Sequence, residues 1–120
     1  MKRYLTSIGF LLVMAAVALA ADVTGNWAGS FKYNEQDVPT KVALKGESEI
    51  TGTVEGLPGG TAQIKEGKLQ GDTVTFWITI DYQGNPLKLV FKGKVAGDEI
   101  KFDFGTVDGS WGTAFTARKA

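Results

Sequence analysis

The sequence predicts an all-β protein with one domain, an eight-stranded antiparallel up-and-down meander β-barrel. The main observation is a repeated unit, because residues 68–76 (KLQGDTVTF) recur as residues 94–102 (KVAGDEIKF), and residues 44–50 form a looser copy. Each copy places a glycine between two segments with period-2 apolar alternation, which is typical of a β-hairpin. A hairpin unit repeated along the chain favours a meander.

The composition supports the same fold class. The chain has 16 glycines but only three prolines, and many of its other residues are β-branched or aromatic. This combination indicates many tight turns between strands. No segment shows the 3.6-residue period of an amphipathic helix. A flattened two-sheet β-sandwich is the alternative to the barrel.

Residues 1–20 are predicted to be a cleavable signal peptide, which leaves residues 21–120 as the β-barrel domain. Lys2 and Arg3 form a charged start, an apolar run follows, and residues 18–20 (Ala-Leu-Ala) resemble a cleavage site. The apolar run is short for a membrane span, so a retained anchor helix is the less favoured alternative. We therefore expect an exported protein, periplasmic or extracellular, with no membrane association after cleavage.

The first three strands follow from alternating apolar positions. The first strand is predicted over residues 25–33, and a polar loop follows at 34–37. In the second strand Pro39 cannot donate to a ladder, so pairing starts after it or the strand is locally an edge. The third strand precedes a flexible glycine-rich connection at 56–60. The inward residues are Trp27, Phe31, Tyr33, Val38, Thr40, Val42, Leu44, Ile50 and Val54.

The fourth strand contains a conflict in its alternation. Ala62 and Ile64 occupy even positions, whereas Leu69 occupies an odd one. One inserted residue near positions 66–67 would bring both sets to the same face, and Gly67 suits such a β-bulge with positive φ.

The remaining four strands are regular. The fifth is predicted over residues 73–82, and connections at 83–86 and 105–110 separate later strands, the last of which runs from about 111 to 118. Their inward residues are Val74, Phe76, Ile78, Ile80, Tyr82, Leu87, Leu89, Phe91, Val95, Ile100, Phe102 and Phe104.

Strand direction predicts one closed end and one open end. The tight links at 46–48, 71–72 and 96–98 fall at the end that contains Trp27, and the longer connections fall at the other end, which we call the mouth. Small-molecule sites in barrels occur at such mouths. The alternative is a barrel filled by its own side chains, because eight strands enclose little more space than that. The candidate ligand-binding residues are Tyr33, Leu57, Tyr82, Leu87, Phe104 and Trp111.

The outer face offers a second candidate surface. A four-residue loop at 83–86 would set Trp77 opposite Lys92, and the turn at 97–98 would set Lys92 opposite Asp103. Such cross-strand neighbours contribute about 0.2–1 kcal/mol each. Trp77 is then either an ordinary surface aromatic residue or part of a patch that binds a sugar or a protein.

The start of the first strand, Gly25-Asn26-Trp27, resembles the G-x-W motif of the calycin barrels, which include the lipocalins and avidins. The chain also resembles a group of small exported bacterial proteins of unknown activity. The calycin resemblance implies that Trp27 plugs one end of the barrel and that Arg118 from the last strand stacks on it. The biotin-binding residues of avidins are not present, since residues 27–31 (WAGSF) lack the required asparagine.

The residue types argue against several function classes. The chain has no histidine or cysteine, so most acid–base and nucleophilic arrangements, and disulfides, are absent. Its 13 basic and 13 acidic residues do not predict a nucleic-acid partner. No metal or cofactor is expected. We therefore expect a non-catalytic protein that binds a small apolar or aromatic ligand at the mouth; the alternative is an envelope accessory or protein-interaction module with a filled barrel, whose partner is unknown.

Overall fold

The computed structural model describes residues 22–120, and all regular structure in them is β-strand. No helix with the length and hydrophobicity needed to cross a membrane occurs among these residues. The predicted signal peptide lies outside the described residues. The strands are β1 (Gly25–Tyr33), β2 (Gln36–Gly46), β3 (Glu49–Leu57), β4 (Gly60–Gln63), β5 (Lys65–Gln70), β6 (Thr73–Tyr82), β7 (Asn85–Ala96), β8 (Glu99–Thr106) and β9 (Gly112–Lys119).

The strands close into a single antiparallel barrel. Consecutive strands pair with each other, except β4 with β5, and β9 returns to β1 through Trp27↔Lys119 and Ala28↔Arg118. β4 and β5 together occupy the fourth position of the barrel, because β4 pairs with β3, and β5 pairs with both β3 and β6. The predicted eight-stranded meander is therefore confirmed, with one strand divided into two, and the sandwich alternative is wrong.

The repeated sequence unit forms the same hairpin twice. Gly71 opens the turn between β5 and β6, Gly97 opens the turn between β7 and β8, and both have φ of 64°. In each case the flanking residues pair directly across a two-residue turn. A glycine at the first central position is the signature of a type II′ turn.

The predicted bulge lies in β5, opposite β6, but the residue with positive φ is not the predicted one. The register shifts between Lys65 and Lys68, and both Ile64 and Leu69 pack into the core. The residue with positive φ is Glu66, at 51°, and not Gly67. Gly67 is needed for space, because a Cβ there would collide with the carbonyl oxygen of Ile50.

Three of the four connections at the mouth are two-residue turns, although four or five residues were predicted for each. Asn34-Glu35 and Gln83-Gly84 are two-residue turns in which both residues have positive φ, as in type I′ turns. Pro58-Gly59 is also a two-residue turn, so only residues 107–111 form a longer loop. Type I′ turns match the right-handed twist of the strands, which therefore continue almost to their tips.

The shorter turn between β6 and β7 changes the predicted outer-face pairing. Trp77 lies opposite Val90, and Lys92 lies opposite Thr75, so the predicted pairing of Trp77 with Lys92 is wrong. The predicted pairing of Lys92 with Asp103 across the β7–β8 hairpin is confirmed. A loop of two residues in place of four shifts the register by two positions and keeps each side chain on its predicted face.

Pro39 lies within β2 at a point where only one neighbouring strand is paired. It sits opposite Ser30 of β1, whereas the ladder between β2 and β3 begins at Lys41↔Glu55. The missing N–H group of Pro39 therefore costs no hydrogen bond to β3. This agrees with the second alternative from the sequence, in which the strand is locally an edge at Pro39.

The Trp27 end of the barrel is filled. Trp27 is fully buried, and its Nε1 donates a hydrogen bond of 2.9 Å to the carbonyl oxygen of Val23. Above it, phenylalanine rings from neighbouring strands stack, with centroids 4.8 Å apart for Phe76 and Phe91 and 5.3 Å apart for Phe102 and Phe115. These four rings are buried, so they and Trp27 fill this end of the barrel.

The cation above Trp27 is Lys119, not Arg118. The Lys119 Nζ lies 5.4 Å from the centroid of the indole ring. Arg118 points outward and donates a hydrogen bond of 2.9 Å to Glu99. Side chains alternate along a strand, so Arg118, next to the buried Ala117, must face solvent. The stacking of Arg118 on Trp27 is therefore wrong, although both residues lie at the same end.

Candidate functional site

The mouth of the barrel contains a cavity of about 630 Å³. This volume lies within the range of small-molecule sites, about 300–1,000 Å³. The buried side chains of Phe31, Leu89 and Phe104 separate it from the filled half of the barrel. All six residues proposed from the sequence line this one cavity: Tyr33, Leu57, Tyr82, Leu87, Phe104 and Trp111.

Strand ends place most of these side chains. Tyr33 is the last residue of β1 and Tyr82 the last residue of β6, each on the inward-facing parity of its strand. Leu57 ends β3, where a register shift after Val54 restores its inward direction. Gly56 absorbs this shift with φ of 102°, a value that few other residues adopt.

One wall of the cavity is aromatic. The rings of Phe104 and Trp111 have centroids 5.6 Å apart at an angle of 69°, and Tyr33 meets Trp111 at 6.0 Å and 73°. Phe31 and Phe104 are 5.1 Å apart at 83°. These edge-to-face contacts are favoured by the ring quadrupoles, so the wall is held by its own packing.

The hydroxyl groups of Tyr33 and Tyr82 meet across the mouth, with their oxygens 3.2 Å apart. Three strand positions separate β1 from β6 in either direction around the barrel, so the two tyrosines come from opposite sides. The hydrogen bond to Tyr33 raises the pKa of Tyr82 above its ordinary value of 10.0, so the Tyr82 hydroxyl is protonated at neutral pH.

The loop at residues 107–111 holds Trp111 in the wall. The Oδ1 atom of Asp108 accepts hydrogen bonds from the Ser110 N–H at 3.0 Å and from the Thr106 hydroxyl at 2.9 Å. The Trp111 N–H donates in turn to the Thr106 Oγ1 at 3.1 Å. These hydrogen bonds, that from the Ser110 N–H foremost, lower the pKa of Asp108 below its ordinary value of 3.8.

Sequence reasoning missed several residues of the site. The Asp-Gly-Ser sequence at 108–110 is a signal for a side-chain-bonded turn, and it could have identified the anchoring role of Asp108. Inward parity could likewise have indicated Leu89 as a lining residue. The other lining residues outside the six candidates are Phe31, Val38, Gly56, Pro58, Thr106 and Ser110.

The lining of the cavity contains no lysine, arginine, aspartate or glutamate. Its polar side-chain groups are the hydroxyls of Tyr33, Tyr82, Thr106 and Ser110 and the indole N–H of Trp111. Among residues 22–120 no three acidic, histidine or cysteine side chains gather into a group that could hold a metal ion. The arrangement suits a neutral, mainly apolar molecule, because a buried charge would find no partner here.

The proposed outer patch is not assembled as predicted. Trp77 is half-buried beneath Lys88, whose Nζ lies 4.2 Å from the centroid of the indole ring. Lys92 and Asp103 pair with each other at the middle of β7 and β8. The Trp77 Nε1 is buried and has no hydrogen-bond partner within the described part of the chain.

Comparison with protein-family models, with curated proteins and with solved structures finds no significant match to this chain.

Proposed function

We propose that this protein binds a small, neutral, apolar or aromatic molecule in the cavity at its mouth. The observation that carries the proposal is the contrast between the two ends of the barrel. Trp27 and the phenylalanine stack fill one end, whereas the other encloses about 630 Å³ lined almost entirely by apolar side chains. Such a lining, with a few polar groups, is typical of small-molecule sites.

The energetics favour a ligand of this class. Apolar surface removed from water contributes about 25 cal/mol per Å². Aromatic walls add contact area at a small cost in conformational entropy, and the rings of Phe104 and Trp111 are already held by mutual contact. The chemistry proposed is binding alone, because no nucleophile with an adjacent base lines the cavity.

We also propose a calycin-type relationship and an exported location. The closed antiparallel meander and the buried Trp27 at the start of β1 support the relationship, with Lys119 in place of the expected arginine. Export rests on the leader-like sequence of residues 1–20.

The alternative function, an interaction module with a working outer surface around Trp77, has weaker support. Lys88 covers the indole ring, and single exposed apolar residues are normal on protein surfaces. That alternative also expected a filled barrel, whereas the mouth contains a cavity of about 630 Å³.

A fluorescence titration with the neutral dye phenylnaphthylamine tests the proposal. The dye should bind the wild-type protein, and Trp111→Ala should weaken its affinity about tenfold, since one wall of the cavity is removed. Trp77→Ala is the matched control, because it removes the same side chain from the outer face, and it should leave the affinity unchanged. Absence of dye binding, or equal losses in the two variants, would contradict the proposal.

A further inference from the structure

We propose that Tyr33 and Tyr82 form a clasp that binds the polar end of the ligand, so that the ligand has an apolar body and one terminal hydroxyl or carbonyl oxygen. This inference rests on the proposed function and specifies its ligand class. It begins from the contact between the two hydroxyls, 3.2 Å apart, that spans the mouth.

The position of the pair fits this role. The rings of both tyrosines line the cavity, whereas the residues remain 38% and 37% exposed, so they stand where the apolar interior meets water. A molecule that enters from solvent with its apolar body inward would leave its polar end at this level. The tyrosines approach from opposite strands, so that end would lie between them.

Hydrogen-bond counting shows that the pair has free capacity. Two phenol hydroxyls carry two donor hydrogens and about four acceptor lone pairs. Their mutual hydrogen bond uses one hydrogen and one lone pair, which leaves one donor and several acceptors for a ligand oxygen. The raised pKa of Tyr82 keeps that donor in place at neutral pH.

The other hydroxyl groups of the cavity, those of Thr106 and Ser110, are already engaged. The Thr106 hydroxyl donates to Asp108 and accepts from the Trp111 N–H. The Ser110 hydroxyl lies 3.2 Å from the same Thr106 oxygen. Among the hydroxyls that line the cavity, the tyrosine pair therefore has the most free hydrogen-bonding capacity for a polar ligand atom.

The clasp is preorganised by matching turns. Tyr33 directly precedes the turn at Asn34-Glu35, and Tyr82 directly precedes the turn at Gln83-Gly84. All four turn residues have positive φ. In each hairpin the two strands remain paired up to the residues that flank the turn. Two turns of the same type thus hold both rings at the same level of the barrel. A site that is preorganised in this way loses less conformational entropy when a ligand binds.

The test compares two probes of similar size and shape, naphthol and methylnaphthalene, in the mature chain of residues 21–120 expected after cleavage of the leader. Displacement of phenylnaphthylamine reports both affinities. In the double variant Tyr33→Phe/Tyr82→Phe, naphthol should bind about three- to tenfold more weakly, the loss expected for a typical hydrogen bond. Methylnaphthalene should change by less than about twofold, because the rings remain.

The controls separate this inference from the proposed function. Thr75→Ala removes a hydroxyl from the outer face of β6, outside the cavity, and should leave naphthol binding unchanged. Should both probes bind the double variant as they bind the wild type, or should Thr75→Ala cause the same loss, the clasp is wrong and the cavity proposal stands. Should neither probe nor the dye bind the wild-type protein, both proposals are wrong.

A second readout does not depend on binding. Tyr33→Phe should lower the pKa of Tyr82 towards 10.0, because Tyr33 is the cause of its raised value. Titration of tyrosinate absorbance measures this shift, and thermal unfolding verifies that each variant is folded. An unchanged pKa would contradict the contact between the hydroxyls on which the clasp depends.

Discussion

Single backbone positions explain the bulge in the fourth strand of the barrel. Glu66 takes φ of 51°, which costs a residue with a side chain about 1–2 kcal/mol. Gly67 has no such φ, but its missing side chain lets the carbonyl oxygen of Ile50 approach. The two neighbouring residues are therefore constrained differently: Glu66 by its backbone conformation and Gly67 by the space available for a side chain.

Substitution at these two positions should therefore have effects of opposite sign. Glu66→Gly should stabilise the protein by up to about 1 kcal/mol, because glycine relieves the strain in φ, less the entropy it adds to the unfolded chain. Gly67→Ala should destabilise it by about 1–3 kcal/mol through collision with Ile50. Denaturant unfolding measures both, and a loss of stability in Glu66→Gly would contradict the assignment.

The register of β6 makes a second prediction for single residues. Phe76 is 2% exposed and stacks on Phe91, so Phe76→Ala should destabilise the protein by about 3–5 kcal/mol. Thr75→Ala, one residue away on the outer face, should change stability by less than about 0.5 kcal/mol. Comparable losses in the two unfolding experiments would mean that β6 does not alternate as described.

Among the elements, the loop at residues 107–111 depends most clearly on one charged group. The carboxylate of Asp108 accepts hydrogen bonds from both Thr106 and Ser110, and the Trp111 N–H donates to the Thr106 hydroxyl in the same network. The pKa of Asp108 is lower in the folded than in the unfolded protein, so its contribution to stability is present above the ordinary value of 3.8 and is lost as the pH falls through the folded value.

Acid should therefore loosen the loop before it unfolds the barrel. We expect the emission of Trp111 to shift as the pH falls below 3.8. Asp108→Asn keeps a carbonyl acceptor that does not titrate, so this transition should be absent. In Trp111→Phe only Trp27 and Trp77 emit, so this variant measures their contribution to the fluorescence signal. An identical acid transition in Asp108→Asn would show that another group is responsible.

For the whole molecule, the features that depend on local sequence pattern were predicted better than those that depend on long-range contacts. The repeat and the period-2 alternation were sufficient for the meander and for the inward residues, since both depend only on neighbours in the chain. The turn at Gln83-Gly84 was predicted too long because Asn85 and Pro86 are typical loop residues, although they begin β7. The conflict between Ile64 and Leu69 located the bulge but could not decide which residue takes positive φ.

The candidate site was predictable in part for the same reason. Strand direction brought all six proposed residues to one end, where they line one cavity. The contact between Tyr33 and Tyr82 could not be predicted, because it depends on the distance across the closed barrel, which the alternation along each strand does not specify. Lys119 replaced Arg118 above Trp27 because the resemblance to calycins indicated the strand but did not fix the parity of its last residues.

The central claim is that the mouth, and no other part of the surface, receives the ligand. The amide NMR spectrum of the protein, recorded during titration with phenylnaphthylamine, tests it most directly. We expect the largest shifts at Tyr33, Leu57, Tyr82, Thr106 and Trp111, and none at the distant turns of Gly71 and Gly97. Shifts concentrated around Trp77, or an unchanged spectrum at saturating dye, would contradict the account.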